Sequence, residues 1–65
     1  MFTVWFSEGG QRLAEREWPV VPRVGETVNL HDCPGRFEVI RVHWEEHAEA
    51  TDGLAAHISV RTAGT

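Results

Sequence analysis

The longest run of β-type residues lies at residues 35–46, Gly-Arg-Phe-Glu-Val-Ile-Arg-Val-His-Trp-Glu-Glu, and its apolar positions change parity part-way along. Phe37 and Val39 are odd, whereas Ile40, Val42 and Trp44 are even. A strand sends alternate side chains to opposite faces, so one uninterrupted strand cannot place both groups in a single core. A β-bulge near Val39-Ile40 removes the conflict by adding one residue and bending the strand. The alternative leaves Phe37 and Val39 on the far face.

The flanking segments register against this run. Residues 26–31 alternate, with Val28 and Leu30 apolar between Thr27, Asn29 and His31. Cys33-Pro34-Gly35-Arg36 then has the pattern of a type II turn, since proline presets φ at its second position and glycine accepts positive φ at its third. Folding about Pro34-Gly35 sets Leu30 opposite Val39. Downstream, Leu54, Ala56, Ile58 and Val60 share one parity, with His57, Ser59 and Arg61 between them. Ile58 opposite Val42 then brings Trp44 to Ala56, Ile40 to Val60 and His43 to His57. One bulged strand serving two partners is how a small sheet curls into a barrel.

The N-terminal stretch is read the same way. Phe2, Val4 and Phe6 share a parity that Trp5 does not. Gly9-Gly10 is a hairpin signal, and residues 11–18 return as a second strand, with a short helix as the alternative because Leu-Ala-Glu-Arg-Glu contains good helix formers. A two-residue turn pairs Phe6 with Leu13 and Trp5 with Ala14. It also puts Arg16 diagonal to Trp5, within stacking reach. Pro19 and Pro22 remove ladder donors, so residues 19–25 are expected to cross as an extended, polyproline-like connection whose valines cap one barrel end. Residues 45–53 read as an acidic, solvated loop with room for one helical turn, and residues 63–65 as a fraying tail.

Composition narrows the class. At 65 residues with 42% hydrophobic content, three Trp and three Phe, the chain forms one domain near the lower limit for folding unaided. The single Cys33 cannot make an internal disulfide. No apolar run reaches spanning length and no basic-then-apolar leader opens the chain, so a soluble, cytoplasmic protein is expected with no membrane partner. A formal charge of −4 opposes capture of nucleic acid. Every basic residue is arginine, which suits bidentate binding of phosphate or carboxylate.

Candidate chemistry is sparse. His43-Trp-Glu-Glu-His47 has helical metal-ligand spacing, but on a strand its histidines lie about 13 Å apart at ~3.3 Å per residue. The opposed pair His43 and His57, with Glu45 as the nearest third group, is a better candidate for sharing an ion or a proton, against the plainer reading of two solvated imidazoles. Glu45, Glu46 and Glu49 lack the dry pocket that acid–base work needs. No activated nucleophile, cofactor motif or phosphate loop is recognisable, so an enzyme is not expected. The face carrying Arg41, His43, His57, Ser59 and Arg61, with Trp5 beside it and Arg16 stacked on Trp5, has the composition of an interaction patch. Trp5 could instead fold over a barrel end and complete the core.

Five short strands and a Pro-rich crossing segment resemble the small SH3-like β-barrels. The resemblance is carried by Pro22-Arg23-Val24-Gly25-Glu26-Thr27-Val28 followed by Phe37-Glu38-Val39-Ile40-Arg41-Val42. Similar patterns occur in short bacterial and phage proteins. It implies a binding scaffold and assigns no functional residue. The sequence therefore predicts an all-β, five-stranded SH3-like barrel of antiparallel hairpins. Its expected role is non-catalytic binding of a protein partner or of itself as a homo-oligomer, through Trp5, Arg16, Arg41, His43, His57 and Arg61. The runner-up is a phage-type sequestering protein that holds an anionic, nucleotide-like molecule at an oligomer interface.

Overall fold

A computed structural model describes residues 1–50 and 52–63. Among these there are five strands and no helix: β1 (Phe2–Glu8), β2 (Gln11–Trp18), β3 (Thr27–Leu30), β4 (Cys33–Glu46) and β5 (Leu54–Thr62). They form one sheet in the order β2-β1-β5-β4-β3, curled into a half-barrel. β1–β2, β3–β4 and β4–β5 pair antiparallel and β2 and β3 form opposite edges, but β1 lies parallel to β5 at the centre of the sheet. That parallel pair was not anticipated. It joins the first hairpin to the second half of the chain.

The long strand behaves as its parity requires. Val39 pairs with Val60 and Arg41 with Ser59, so the register slips by one residue between them. Beyond the bulge Val42 meets Ile58, His43 meets His57 and Trp44 meets Ala56, as the alternation predicts. The extra residue is Ile40, which is 46% exposed instead of opposing Val60. A bulge residue is left without a partner, and here that residue is apolar. Trp44 keeps its predicted register but lies at the sheet rim, 44% exposed, with its ring edge-on to Phe2 at 5.5 Å.

The turn before β4 differs from the expected one. Leu30 pairs with Cys33, so the chain reverses at His31-Asp32 and not at Pro34-Gly35. Val28 then meets Phe37, and residues 34–36 have no partner in either neighbouring strand. Pro34 costs no ladder bond in this place, and Gly35 takes the left-handed φ of 101° that the slip demands. Val39 is instead tied to the crossing segment. Its N–H donates to the Glu26 carbonyl at 2.8 Å, and the Gly25 N–H donates to the Val39 carbonyl at 2.9 Å.

In the first hairpin Gly9 and Gly10 both have positive φ, at 60° and 83°, which matches a two-residue turn of the mirror-image type. Glu8 pairs with Gln11 and Ser7 with Arg12, the register such a turn sets. A slip follows at Leu13, so Phe6 faces Ala14, Trp5 faces Glu15 and Val4 faces Arg16. Leu13 therefore does not oppose Phe6.

The core fills the concave face. Val4, Phe6, Val39, Ile58 and Val60 are at most 1% exposed, and burying each stabilises by about 1.5–3 kcal/mol. Trp18 packs edge-on against Phe6 at 5.3 Å. Glu8 fastens the far ends of β1 and β5, accepting from the Thr62 N–H at 2.8 Å and from its hydroxyl at 2.9 Å. β4 extends through Glu46, so the acidic connection is shorter than expected, and it is folded on itself: His47 N–H donates to the Gly53 carbonyl and Ala50 N–H to the His47 carbonyl, each at 3.0 Å. Ala50 is buried there, and no helical turn is present among the described residues. Thr51 and the last two residues of the expected tail lie outside the described residues, while Ala63 N–H is bound to the Arg36 carbonyl at 2.8 Å.

Candidate functional site

The convex face is built by the residues alternate to the core. Three register pairs lay out a row across four strands, Glu15–Trp5–His57–His43. One step along lies Glu17–Thr3–Ala55–Glu45, and one step the other way Arg12–Ser7–Ser59–Arg41. The parallel pairing of β1 with β5 makes this possible, because it sets Trp5 directly beside His57.

Trp5 is half-buried and enclosed by polar neighbours. His57 meets its ring edge-on at 4.8 Å, and His47 does so at 5.0 Å from the connection after β4. The Arg12 guanidinium lies over the ring, 4.6 Å from its centroid. The indole nitrogen of Trp5, Nδ1 of His47 and Nε2 of His57 are buried without a conventional hydrogen-bond partner among the described residues. Edge-on aromatic neighbours offer π faces in place of such partners. Trp5 is thus the centre of a small second cluster on the outside of the sheet, and not the plug of a barrel end.

The opposed imidazoles are brought together as the register predicts, with centroids 6.0 Å apart. Glu45 Oε1 lies 3.3 Å from His57 Nε2 and 3.9 Å from His43 Nε2. The shorter distance is that of an ion pair when His57 is protonated, but it lacks hydrogen-bond geometry. No group of three or more His, Cys, Asp or Glu among the described residues is arranged to hold a metal ion. His43 and His47 do not share a helix: β4 ends between them, and His47 turns toward Trp5.

The arginines divide into engaged and unengaged. Arg61 binds Glu38 through Nε at 2.9 Å and Nη2 at 2.8 Å, which ties β5 to β4. Arg16 is not stacked on Trp5 as the simple hairpin register predicted. The slip at Leu13 turns it to the Val4 side, where it pairs with Asp32 in the β3–β4 turn. Desolvation at that turn pushes the Asp32 carboxyl up, but the Arg16 hydrogen bond, a backbone N–H and the Arg16 charge outweigh it and hold the group below its ordinary value of 3.8. Arg12 takes the place beside Trp5: opposite Ser7, where the two-residue turn sets it, it stays on the Trp5 face while the slip removes Arg16. Arg12 and Arg41 have no carboxylate partner among the described residues.

The clefts lie elsewhere. An open groove of about 680 Å³ runs between the end of β2 and the start of β3, bordered by Trp18, Val20, Val21, Pro22, Arg23 and Glu26. A smaller one of about 290 Å³ joins it past Val24, Val42 and Trp44. Val20, Val24, Ile40 and Trp44 are the exposed apolar side chains of this region and of the neighbouring bulge. No helix among the described residues is long and apolar enough to cross a membrane. Comparison of the chain with protein-family models, curated proteins and solved structures finds no match to any of them.

Proposed function

We propose that this chain is a non-catalytic binding module on an SH3-like scaffold, that its convex face carries the contact, and that it works as a homo-oligomer. One observation carries the reading: Trp5, His57 and His43 stand in a single row, flanked by arginines with no carboxylate partner among the described residues. Aromatic and guanidinium groups held together on a surface are the usual anchors of a recognition patch. Arg61 supports this face from its ion pair with Glu38, and Arg16 is no part of it.

Self-association is supported by a different surface. Val20, Val24 and Trp44 leave an apolar rim on a chain of only 65 residues, and a second copy would add the buried area that so small a core lacks. Light scattering across a concentration series tests it. The expected result is a mass above that of one chain, lowered by Trp44→Arg and unchanged by Arg41→Gln. A single-chain mass at every concentration removes the oligomer. A second reading, retention of an anionic small molecule, is favoured by Arg12 standing over Trp5 with no carboxylate partner among the described residues.

A further inference from the structure

The row next to Trp5 is chemically distinct from the rest of the sheet. Arg12 pairs with Ser7, Ser7 with Ser59 and Ser59 with Arg41, so four strands place Arg–Ser–Ser–Arg side by side on the convex face. Both serines are partly buried, and both arginines are exposed. The row contains no carboxylate. Glu15 lies in the next row and Glu17 and Glu45 in the one beyond, while Glu38 is already occupied by Arg61.

We infer that this row is a binding site for a tetrahedral oxyanion, a phosphomonoester or free phosphate, with the anion seated over the two serine hydroxyls. The inference deepens the anionic-ligand reading above by assigning its class and its residues. Three strand spacings separate the Cα atoms of Arg12 and Arg41, about 14 Å at ~4.8 Å each, so an arginine flanks the serine pair on either side, with the Arg12 guanidinium over the neighbouring Trp5 ring. A guanidinium presents a fork of N–H donors and a serine hydroxyl presents one more. Donors arriving from both flanks and from beneath suit an anion with three or four oxygens. A planar carboxylate is satisfied by one fork alone.

Trp5 is the positioning residue. Its ring holds the Arg12 guanidinium at 4.6 Å, which restricts a long side chain and leaves the donor edge of the fork free. His57 and His43, two residues along from Ser59 and Arg41, border the anion on the Trp5 side and add donors and positive charge when protonated. Glu45 stands between the two imidazoles and opposes that gain, as does Glu15 across from Trp5. The protein's net charge of −4 gives no long-range attraction, so binding depends on the local donors and weakens with salt.

The test is an NMR titration of the isotopically labelled chain with inorganic phosphate and with adenosine monophosphate, each against sodium chloride of matched ionic strength. Saturable shifts confined to Ser7, Arg12, Arg41, Ser59 and the Trp5 indole N–H are expected. Arg12→Gln with Arg41→Gln should weaken the midpoint at least tenfold, and Trp5→Leu less. Arg36→Gln, which removes an arginine outside the row, should leave it unchanged. Tighter binding of the nucleotide than of phosphate identifies a phosphomonoester; equal binding identifies the free anion. Saturable phosphate binding that ignores the double variant overturns the assigned row while leaving the anionic-ligand reading intact. No shift beyond the chloride control overturns both. The mass measured by light scattering on the same samples keeps these outcomes separate from the fate of the oligomer.

Discussion

The concave and convex faces of this sheet are made from alternate residues of the same strands, yet they are packed by opposite means. On the concave side Val4, Phe6, Val39, Ile58 and Val60 exclude water with aliphatic and aromatic surface alone. On the convex side one tryptophan is covered by imidazoles, a guanidinium and a folded connection. The first arrangement uses non-directional burial, which supplies most of the folding free energy of a small domain. The second arranges charges and donors around a ring, and each such contact contributes only about 0.5–1.5 kcal/mol. The two faces therefore divide the work: one holds the fold and the other presents chemistry.

The largest effect separating them is expected from truncating the core. Phe6→Ala should cost about 3–5 kcal/mol, against a total of about 3–10 kcal/mol for a chain of this length, so at least about a third of the stability should be lost and the melting midpoint by circular dichroism should fall steeply. Trp5→Ala removes a ring of greater size from the other face and should cost about 1–2 kcal/mol, with a cooperative melt retained. Equal losses for the two would show that the convex cluster is core and not surface. Adjacent residues at the bulge sharpen the same contrast. Val39→Ala should cost about 2 kcal/mol and Ile40→Ala less than about 0.5, whereas unbroken alternation from Val42 would bury Ile40 and expose Val39, reversing the order. Denaturant midpoints at constant slope measure both.

The smallest expected effect concerns the tie between the hairpins. Asp32 is more acidic in the folded protein than in the unfolded chain, so its pairing with Arg16 stabilises above the ordinary value of 3.8 and is lost as the pH falls through the depressed one. Asp32→Asn should lower the melting temperature slightly at pH 7, and the two melting curves should converge in acid. A difference that persists at pH 2 would mean that the turn, and not the charge, is responsible. Because Asp32 is exposed, the shift is expected to be small.

Much of the second half was legible because several short-range signals agreed. The parity change at Val39-Ile40 favoured a bulge over a far face carrying Phe37 and Val39, and the even run of Leu54, Ala56, Ile58 and Val60 suggested the register that sets Ile58 against Val42 and Ala56 against Trp44. His43 opposite His57 followed from that register alone. The β3–β4 turn was misread because Pro34-Gly35 has strong turn chemistry. In the folded chain those residues fill an unpaired stretch of β4, and the reversal occurs at His31-Asp32, where Asp32 is held by Arg16. Turn propensity was overridden by the pairing of Val28 with Phe37, which buries an aromatic ring.

The candidate site was less legible. Trp5, His43, His57 and Arg41 could be assigned to the outer face by parity, and the two-residue turn sets Arg12 there too, but His47 could not be placed in this way. A one-residue slip at Leu13 takes Arg16 off the face of Trp5 and leaves Arg12 there alone, and no local pattern near Leu13 announces it. His47 reaches Trp5 because its connection folds back, and Ser7 meets Ser59 because β1 and β5 run parallel across more than fifty residues of intervening chain. Alternation is a property of each short segment, so strand identity and the faces of β4 and β5 could be read from residue order. Which charged side chain meets the tryptophan depends on bulges and on a distant strand pairing. Those are set by the burial of the concave face as a whole, which no single segment encodes.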